Sequence, residues 1–383
     1  MKKLLALAVL SLLACDLWKS ESVHSRLFVI RVDTLHGYIN QSGQVVITPQ
    51  YRGASDFSEG LARVSGSYHD SLGPRWGYID ESGREVLSQQ FVYPGPFSEG
   101  LARITVRVGE NLLSGYINRE GDTVIRPQFD YAYDFSEGLA VVVTGFDQDD
   151  KAGYIDKTGR LVVGYQFDQA YRFSEGLAPV RVGSLWGYID KSGNLAIAPQ
   201  FGDAYGFSEG RAAVSVGDSW GYIDASGKMV IRTGLPNGWP FSDGLALMWA
   251  LEGNTLKWGY IDVDGRTAIK PQFNLADDFS DGLAAVCDGS LYGFIDRTGK
   301  YVIGPQFLYA WPFSDGLAQV EQAGTGYIGY IDRSGAYVWG PFDYSYEAPV
   351  VPMPQGMTGS HPASESPARC DREAHGYHSG GPL

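Results

Sequence analysis

The chain has 383 residues, 44% of them hydrophobic and 19% charged, with a net charge of −14. That composition is globular, not disordered, and an acidic surface disfavours nucleic acid as a partner. Three cysteines, Cys15, Cys287 and Cys370, are too few and too scattered for a disulfide framework or a zinc cluster, and Cys287, in the apolar run LAAVCDG, reads as a small buried hydrophobe. The glycine count of 50 and tyrosine count of 24 point to short strands joined by tight turns.

In chain order the first element is MKKLLALAVLSLLAC, two lysines followed by an apolar stretch from Leu4 to Ala14. The stretch is too short to span a bilayer and predicts a signal peptide over 1–14. Its end, Leu12-Leu13-Ala14-Cys15, resembles the lipobox of bacterial lipoproteins. The resemblance implies cleavage before Cys15 and lipidation of that residue, with several acyl chains giving stable anchorage. An ordinary secretory signal with an incidental Cys15 is the alternative. Residues 15–25 are then a lipidated cysteine and a polar tether. The expected location is the bacterial cell envelope, exported and lipid-anchored, with inner and outer membrane not distinguished.

From Arg26 onward one unit recurs. Nine copies of Gly-aromatic-Ile followed by Asp or Asn begin at Gly37, Gly77, Gly115, Gly153, Gly187, Gly221, Gly259, Gly293 and Gly329. The motif FS[ED]G recurs eight times, from Phe57 to Phe313, and PQF or PQY is clearest at Pro49, Pro127, Pro199, Pro271 and Pro305. GYID is apolar and β-rich, with Tyr and Ile on opposite faces. DKSG places Asp first and Gly fourth, a type I turn. An apolar strand follows and pairs back as a hairpin. Proline is expected to stop that ladder, QF to open a third strand, FSEG to turn again, and runs such as LARV to form a fourth. Four short strands make one small antiparallel sheet, which must pack on its neighbours to be stable.

Together these motifs resemble the bacterial WG-repeat family, named for the pair seen at Trp76-Gly77, Trp186-Gly187, Trp220-Gly221 and Trp258-Gly259. The resemblance spans about residues 27–343. It carries no single activity with it. His36, Ser114, Ala152, Tyr292 and Ile328 replace the tryptophan elsewhere, and the sixth unit lacks PQF. The expected fold is all-β: tandem short antiparallel sheets over residues 26–344, in a β-propeller-like ring, with an open β-solenoid as the alternative. Closure is expected from the ends. RLFVIRV (26–32) reads as an isolated fourth strand, and the last unit lacks one, so pairing the two would complete a sheet and remove exposed edges.

Chemistry is sparse. The turn acids Glu59, Glu99, Glu137, Glu175, Glu209, Asp243, Asp281 and Asp315 are expected along one rim, capping local N–H groups, with a cation-binding or basic-partner surface as the sharper reading. No nucleophile elbow, P-loop or dinucleotide fingerprint is present. The acidic loop DQDDKAG (147–153) lacks EF-hand spacing, and the six histidines form no metal pair on a regular element. No catalytic residue, metal site or cofactor is expected, and the protein is read as not an enzyme. Aromatics are the surplus. Trp239, Trp249 and Trp311 are candidate ligand-binding residues, with core packing as the plainer reading. Residues 345–383, rich in Pro, Gly, Ser and His, are expected to be a disordered tail. The leading function is a binding or scaffolding module for protein or peptide partners in the envelope; the alternative is recognition of cell-wall or surface glycan through exposed aromatics.

Overall fold

Two-residue links decide which strands become hairpins. Asp33-Thr34, Gly183-Ser184 and Gly217-Asp218 each join a strand of the LARV type to the next G-Y-I strand, so that Val32 pairs with Leu35, Val182 with Leu185 and Val216 with Ser219. These links reach positive φ at Asp33, Gly183 and Gly217, as primed hairpin turns require. The computed structural model describes residues 26–70, 73–145, 150–235, 237–253 and 255–342. Cys15, Cys370 and the tail 345–383 lie outside them.

The sheet is therefore offset from the unit as it reads in sequence. The strand after one FS[ED]G turn pairs with the G-Y-I strand of the following unit. In the fifth sheet Ala178–Val182 lies against Leu185–Ile189, which lies against Leu195–Phe201. A two-residue strand, Gln169–Ala170, covers the other side of Ala178–Val182. The expected break at PQF is absent. Pro199 sits inside the continuous strand Leu195–Phe201, at a register shift between the pairs Tyr188↔Ile197 and Trp186↔Phe201. Proline lacks a ladder donor, so it is tolerated on an edge strand at a bulge, which is where this one lies.

Nine such sheets, here called blades 1 to 9, follow one another, and the described residues contain no helix. Blade 1 has three strands: β1 (Phe28–Val32), β2 (Leu35–Ile39) and β3 (Val45–Tyr51). Blades 8 and 9 are joined through the long strand Tyr301–Ala310 into one seven-stranded sheet.

The Tyr and Ile of each G-Y-I-D segment serve two different cores. Tyr154 of blade 4 shares a cluster with Ile189 of blade 5, and Tyr188 of blade 5 with Ile223 of blade 6. The same relation holds for Tyr38 with Ile79, Tyr78 with Ile117, Tyr116 with Ile155, Tyr222 with Ile261, Tyr260 with Ile295 and Phe294 with Ile331. Tyr330 of blade 9 meets Ile39 of blade 1, together with Phe28, Ile30 and Trp339. The array thus returns on itself, as a propeller-like ring. Each buried side chain of this size contributes roughly 1.5–3 kcal/mol, which no blade collects alone.

Among the described residues β1 pairs in register with β2, its own neighbour, and with no strand of the last unit. It closes the ring by face packing and by the Tyr330 hydroxyl, which donates to the Val29 carbonyl at 2.8 Å. Turn glycines repeat the pattern. A Cβ on Gly193 (φ +83°) would stand 2.9 Å from Val163 of the preceding blade, and one on Gly43 (φ +78°) would stand 1.8 Å from the Val338 carbonyl oxygen of blade 9. Cys287 is fully buried in Leu283–Asp288 and is disulfide-bonded, which corrects the reading of it as a plain hydrophobe.

Candidate functional site

The FS[ED]G turns form a clasp between blades. Their acids adopt left-handed backbone, with φ of 54° at Glu137 and 53° at Glu175, a conformation that a non-glycine side chain holds only when its surroundings fix it. The fixing contact is the next blade. The Glu137 carboxylate accepts the Gly176 N–H at 3.0 Å, Glu175 accepts from Gly210 at 3.0 Å, and Asp281 from Gly316 at 2.8 Å. The serine before each acid joins in: Ser136 Oγ donates to the Phe173 carbonyl at 2.8 Å, and Ser208 Oγ to that of Phe241 at 2.7 Å. Lysines from the D-x-S/T-G turns close on the same carboxylates, Lys157 on Glu99 and Lys191 on Glu137, both at 3.0 Å. The rim of acids is real, but seven of the eight cap an N–H of the following unit instead of their own, and Asp315 takes Arg26. Among the described residues no group of three His, Cys, Asp or Glu side chains could hold a metal.

The opposite edge of each blade offers free side chains on a fixed backbone. The residue two before the FS[ED]G phenylalanine donates its N–H to the adjacent strand: Tyr133 to Val141, Tyr171 to Pro179, Tyr205 to Ala213 and Trp311 to Gln319. Its carbonyl accepts the buried tyrosine hydroxyl of the preceding blade, Tyr116 to Tyr133 at 2.6 Å, Tyr154 to Tyr171 at 2.8 Å and Tyr222 to Trp239 at 2.9 Å. Burial pushes those donor hydroxyls well above the usual tyrosine range, so they remain protonated donors. With both backbone groups engaged, the side chain at this position is free to vary. This edge faces the middle of the ring, where one cavity is lined by Gln319 of blade 9, Ile30 of blade 1, Arg63 of blade 2 and Pro96 beside blade 3. Burial, then Asp203 and Asp278, raise the Tyr205 hydroxyl, and Asp278 lies two blades on.

Side chains divide this inner edge into two sectors. In blades 5 to 7 it is aromatic. Tyr171 stacks on Trp186 at 4.9 Å, Tyr205 tilts over Trp220 at 5.5 Å, and Trp239 meets Trp258 edge-on at 5.0 Å. The tryptophan of the WG pair is thus the platform beneath the inner-edge aromatic. In blades 2 to 4 the edge is polar. Arg63 reaches the Pro94 carbonyl at 2.9 Å, and Arg103 projects from the corresponding place one blade on. Gly95 leaves room for Asp134, whose Oδ1 would be 2.7 Å from a Cβ there. That oxygen is buried and has no hydrogen-bond partner among the described residues. Burial raises the Asp134 carboxyl above its ordinary value, against the pull of Arg103, Arg63 and Arg172. A desolvated carboxylate among three arginines from three blades is the strongest chemical feature of the ring.

Trp239 and Trp249 come together. Trp239 lies on the inner edge, Trp249 pairs across the hairpin with Trp258, and all three join one cluster. Trp311 stands apart on blade 9, 4.5 Å from Tyr309. Each of the three candidates is half-buried. Asp134, Arg63, Arg103, Tyr171 and Tyr205 were not singled out from the sequence. The signal was present: they occupy one repeat position, or touch it, where the unit departs from itself.

Blade 1, like blades 6 and 7, has only three strands. Two-residue inner strands flank the second strand of blades 2, 4, 5 and 8, but β1 is an edge strand, with no inner strand among the described residues. A cavity of ≈ 590 Å³ lies there, lined by Ile30, His36, Ser55, Arg63, Gln319 and Tyr330 among others. Burial lowers the His36 imidazole below its ordinary value.

No curated protein sequence matches the chain. Among solved structures, a eukaryotic initiation factor superposes with a TM-score of 0.57 at 13% identity, over 82% of this chain and 95% of that one. That likeness concerns the fold alone. Apo AztD from Citrobacter koseri (TM-score 0.35, 17% identity, 82% and 93% covered) and a prolyl endopeptidase (0.39, 12%, 78% and 54%) are more distant. The WG containing repeat profile matches residues 37–65, 76–107, 115–145, 153–186, 186–219, 220–248, 258–292 and 292–325. Those matches cover more than half of the sequence, so the chain belongs to the WG-containing repeat family.

Proposed function

We propose that this protein is a non-catalytic, repeat-based binding or scaffolding module for protein or peptide partners, and that the inner edge of the ring is its recognition surface. The observation that carries this reading is the juxtaposition of a buried carboxylate among Arg63, Arg103 and Arg172 with the half-buried aromatics Tyr171, Tyr205 and Trp239. Aromatic anchors beside arginines are the residue types that dominate protein interfaces. A sugar would need open ring faces. Trp239, Trp249 and Trp311 instead turn much of their surface into neighbouring side chains, which favours the peptide reading over the glycan one. We further propose export and anchorage to the cell envelope through lipid on Cys15; a disulfide at Cys287 is in keeping with an oxidising compartment.

The test is photo-cross-linking in cells from positions 133 and 171, compared between wild type and Arg63→Gln/Arg103→Gln. Captured proteins that disappear in the double variant are the expected result. Retention on purified cell-wall polysaccharide, lost in Trp239→Ala and kept in the arginine variant, would replace the peptide reading with the glycan one. Cys15→Ala should move the protein out of the membrane fraction, and unchanged membrane association of the processed variant would refute the anchor.

A further inference from the structure

We infer that Glu175 and Glu209, clasp acids of blades 5 and 6, are the seats for two basic side chains, Lys or Arg, of a protein partner. The inference does not depend on the inner-edge reading above.

The repeat itself shows what these carboxylates hold. In the turn after the G-Y-I strand, the second residue reaches the clasp acid of the preceding blade. Where it is basic it closes on that acid: Arg119 on Glu59 at 3.6 Å, Lys157 on Glu99 and Lys191 on Glu137 at 3.0 Å, and Arg297 on Asp243 at 3.3 Å. Arg333 donates to the Asp281 carbonyl at 2.5 Å, and Gln41 of blade 1 to the Asp315 carbonyl at 2.8 Å, with Arg26 supplying the cation for Asp315. The residues at the same turn position in blades 6 and 7, facing Glu175 and Glu209, are Ala225 and Val263.

The two carboxylates are nevertheless held as the others are. Glu175 accepts the Gly210 N–H at 3.0 Å and Glu209 the Gly244 N–H at 2.9 Å, the bond that Glu137 makes to Gly176. Their φ angles, 53° and 54°, match the 54° of Glu137. Only the cover is missing. Glu175 and Glu209 are exposed, whereas Glu99, Glu137, Asp243 and Asp281 are half-buried. Arg211, the cation beside Gly210, turns to the Gly210 carbonyl at 3.0 Å. Among the described residues no Lys or Arg forms an ion pair with either acid.

The occupant follows from the covered blades. It brings a charged N–H group to each carboxylate, as Lys157 and Lys191 do. Ala225 is exposed, and Val263 is half-buried against the core that holds Tyr222 and Ile261. They offer apolar surface for the methylene stem of a Lys or Arg whose head sits on the acid. A metal ion does not fit, because among the described residues no three acidic, His or Cys side chains converge. One exposed ion pair contributes little, so two neighbouring seats orient and steer a basic segment more than they hold it. The net charge of −14 adds attraction at longer range.

The experiment uses the full chain and a labelled, acetylated Lys-Gly-Lys-Gly-Lys peptide, with its Glu counterpart as control. Anisotropy at low salt reads affinity, and zero-length carbodiimide cross-linking with mass mapping reads the site. Wild type should bind the lysine peptide and cross-link it at Glu175 and Glu209 in preference to the covered acids. Ala225→Lys/Val263→Lys fills both seats from within. Glu175→Gln/Glu209→Gln keeps the bonds to Gly210 and Gly244 and drops the charge. Both should weaken binding by about fivefold, the scale of two lost exposed ion pairs, with circular dichroism as in wild type. Lys157→Ala/Lys191→Ala should extend the cross-links to Glu99 and Glu137, and Arg63→Gln/Arg103→Gln should change nothing. Equal binding by wild type and the filled variant, or cross-links spread evenly over the surface carboxylates, overturns the inference. A dimeric mass for wild type that is lost in the filled variant also overturns it, since the seats would then belong to a second copy.

Discussion

The polar inner edge of blades 2 to 4 and the aromatic inner edge of blades 5 to 7 are built on the same backbone. Tyr133, in the first, and Tyr171, in the second, both donate an N–H to the strand behind and accept a tyrosine hydroxyl through the carbonyl. What changes is the layer beneath. An aromatic lies on Trp186, Trp220 and Trp258, whereas Trp76, in the polar sector, lies against Gly53. In blade 3, where Ser114 replaces the tryptophan, Arg103 and Asp134 lie against Gly95. The repeat holds the fold through main-chain bonds and leaves one side chain per blade to chemistry.

The largest difference between sectors should come from Trp239→Ala. It removes a half-buried ring from Trp258 and its cluster and should cost on the order of 2–3 kcal/mol in a denaturant titration. Tyr133→Ala, at the same repeat position but 39% exposed, should cost under about 1 kcal/mol. Equal losses would show that the aromatic layer is not structural.

Removing the shared hydroxyl should make the sectors alike. Tyr116→Phe and Tyr188→Phe delete a bond of 2.6 and 2.8 Å respectively, and each should cost about 1 kcal/mol. Phe294 already occupies the equivalent place in blade 8, so the fold tolerates the change. A cost confined to one sector would break the claim of a common scaffold.

Asp134→Asn should act in the opposite direction and only over part of the pH range. Burial raises the folded carboxyl above its ordinary 3.8. The favourable contribution of the protonated group is complete below 3.8 and is lost as pH rises through the raised value. Thermal midpoints of wild type and Asn variant should therefore coincide near pH 3 and separate above it, the variant melting higher. If the variant melts lower at pH 7, the three arginines outweigh desolvation, and Asp134 is a structural ion. The smallest effect belongs to the D-x-S/T-G turns. Asp156 is held at about 2 by the Thr158 hydroxyl, against some burial, with further bonds from Arg160 and the turn amides. Its contribution is present above 3.8 and lost as pH falls toward about 2. Asp156→Asn should lower the neutral plateau slightly and meet the wild-type curve as pH falls toward about 2, which flattens the acid limb.

Turns were legible because their chemistry is local. Asp at the first place and Gly at the fourth is enough, and the Gly193 N–H does donate to the Asp190 carbonyl at 2.9 Å. The apolar alternation likewise marks every strand. It does not say which strand pairs with which, so the unit was cut one strand away from the sheet. The deciding signal was the link length: the two residues Gly183-Ser184 permit only a hairpin, whereas the run from Phe201 to Ala212 does not. The clasp was half legible, because an acid followed by glycine predicts a capped N–H but not that the N–H belongs to the next repeat. Arg63, Arg103 and Asp134 stayed hidden because each is ordinary in its own stretch, and only the curvature of the ring brings them together.

Eight of the nine interfaces between a G-Y-I aromatic and an isoleucine, one of them with Phe294 for the tyrosine, join blades adjacent along the chain. The ninth, Tyr330 against Ile39, joins residues about 290 positions apart. Loop closure over that span carries an entropic cost, of order (3/2)RT ln n, that the others do not meet. The ring therefore has one seam of high contact order in an otherwise local structure. An arc of blades can assemble from neighbour to neighbour, while the seam needs both ends in place. It is also where thermal opening should begin and a protease should first gain entry, and the inner-edge cavity beside β1 lies directly on it.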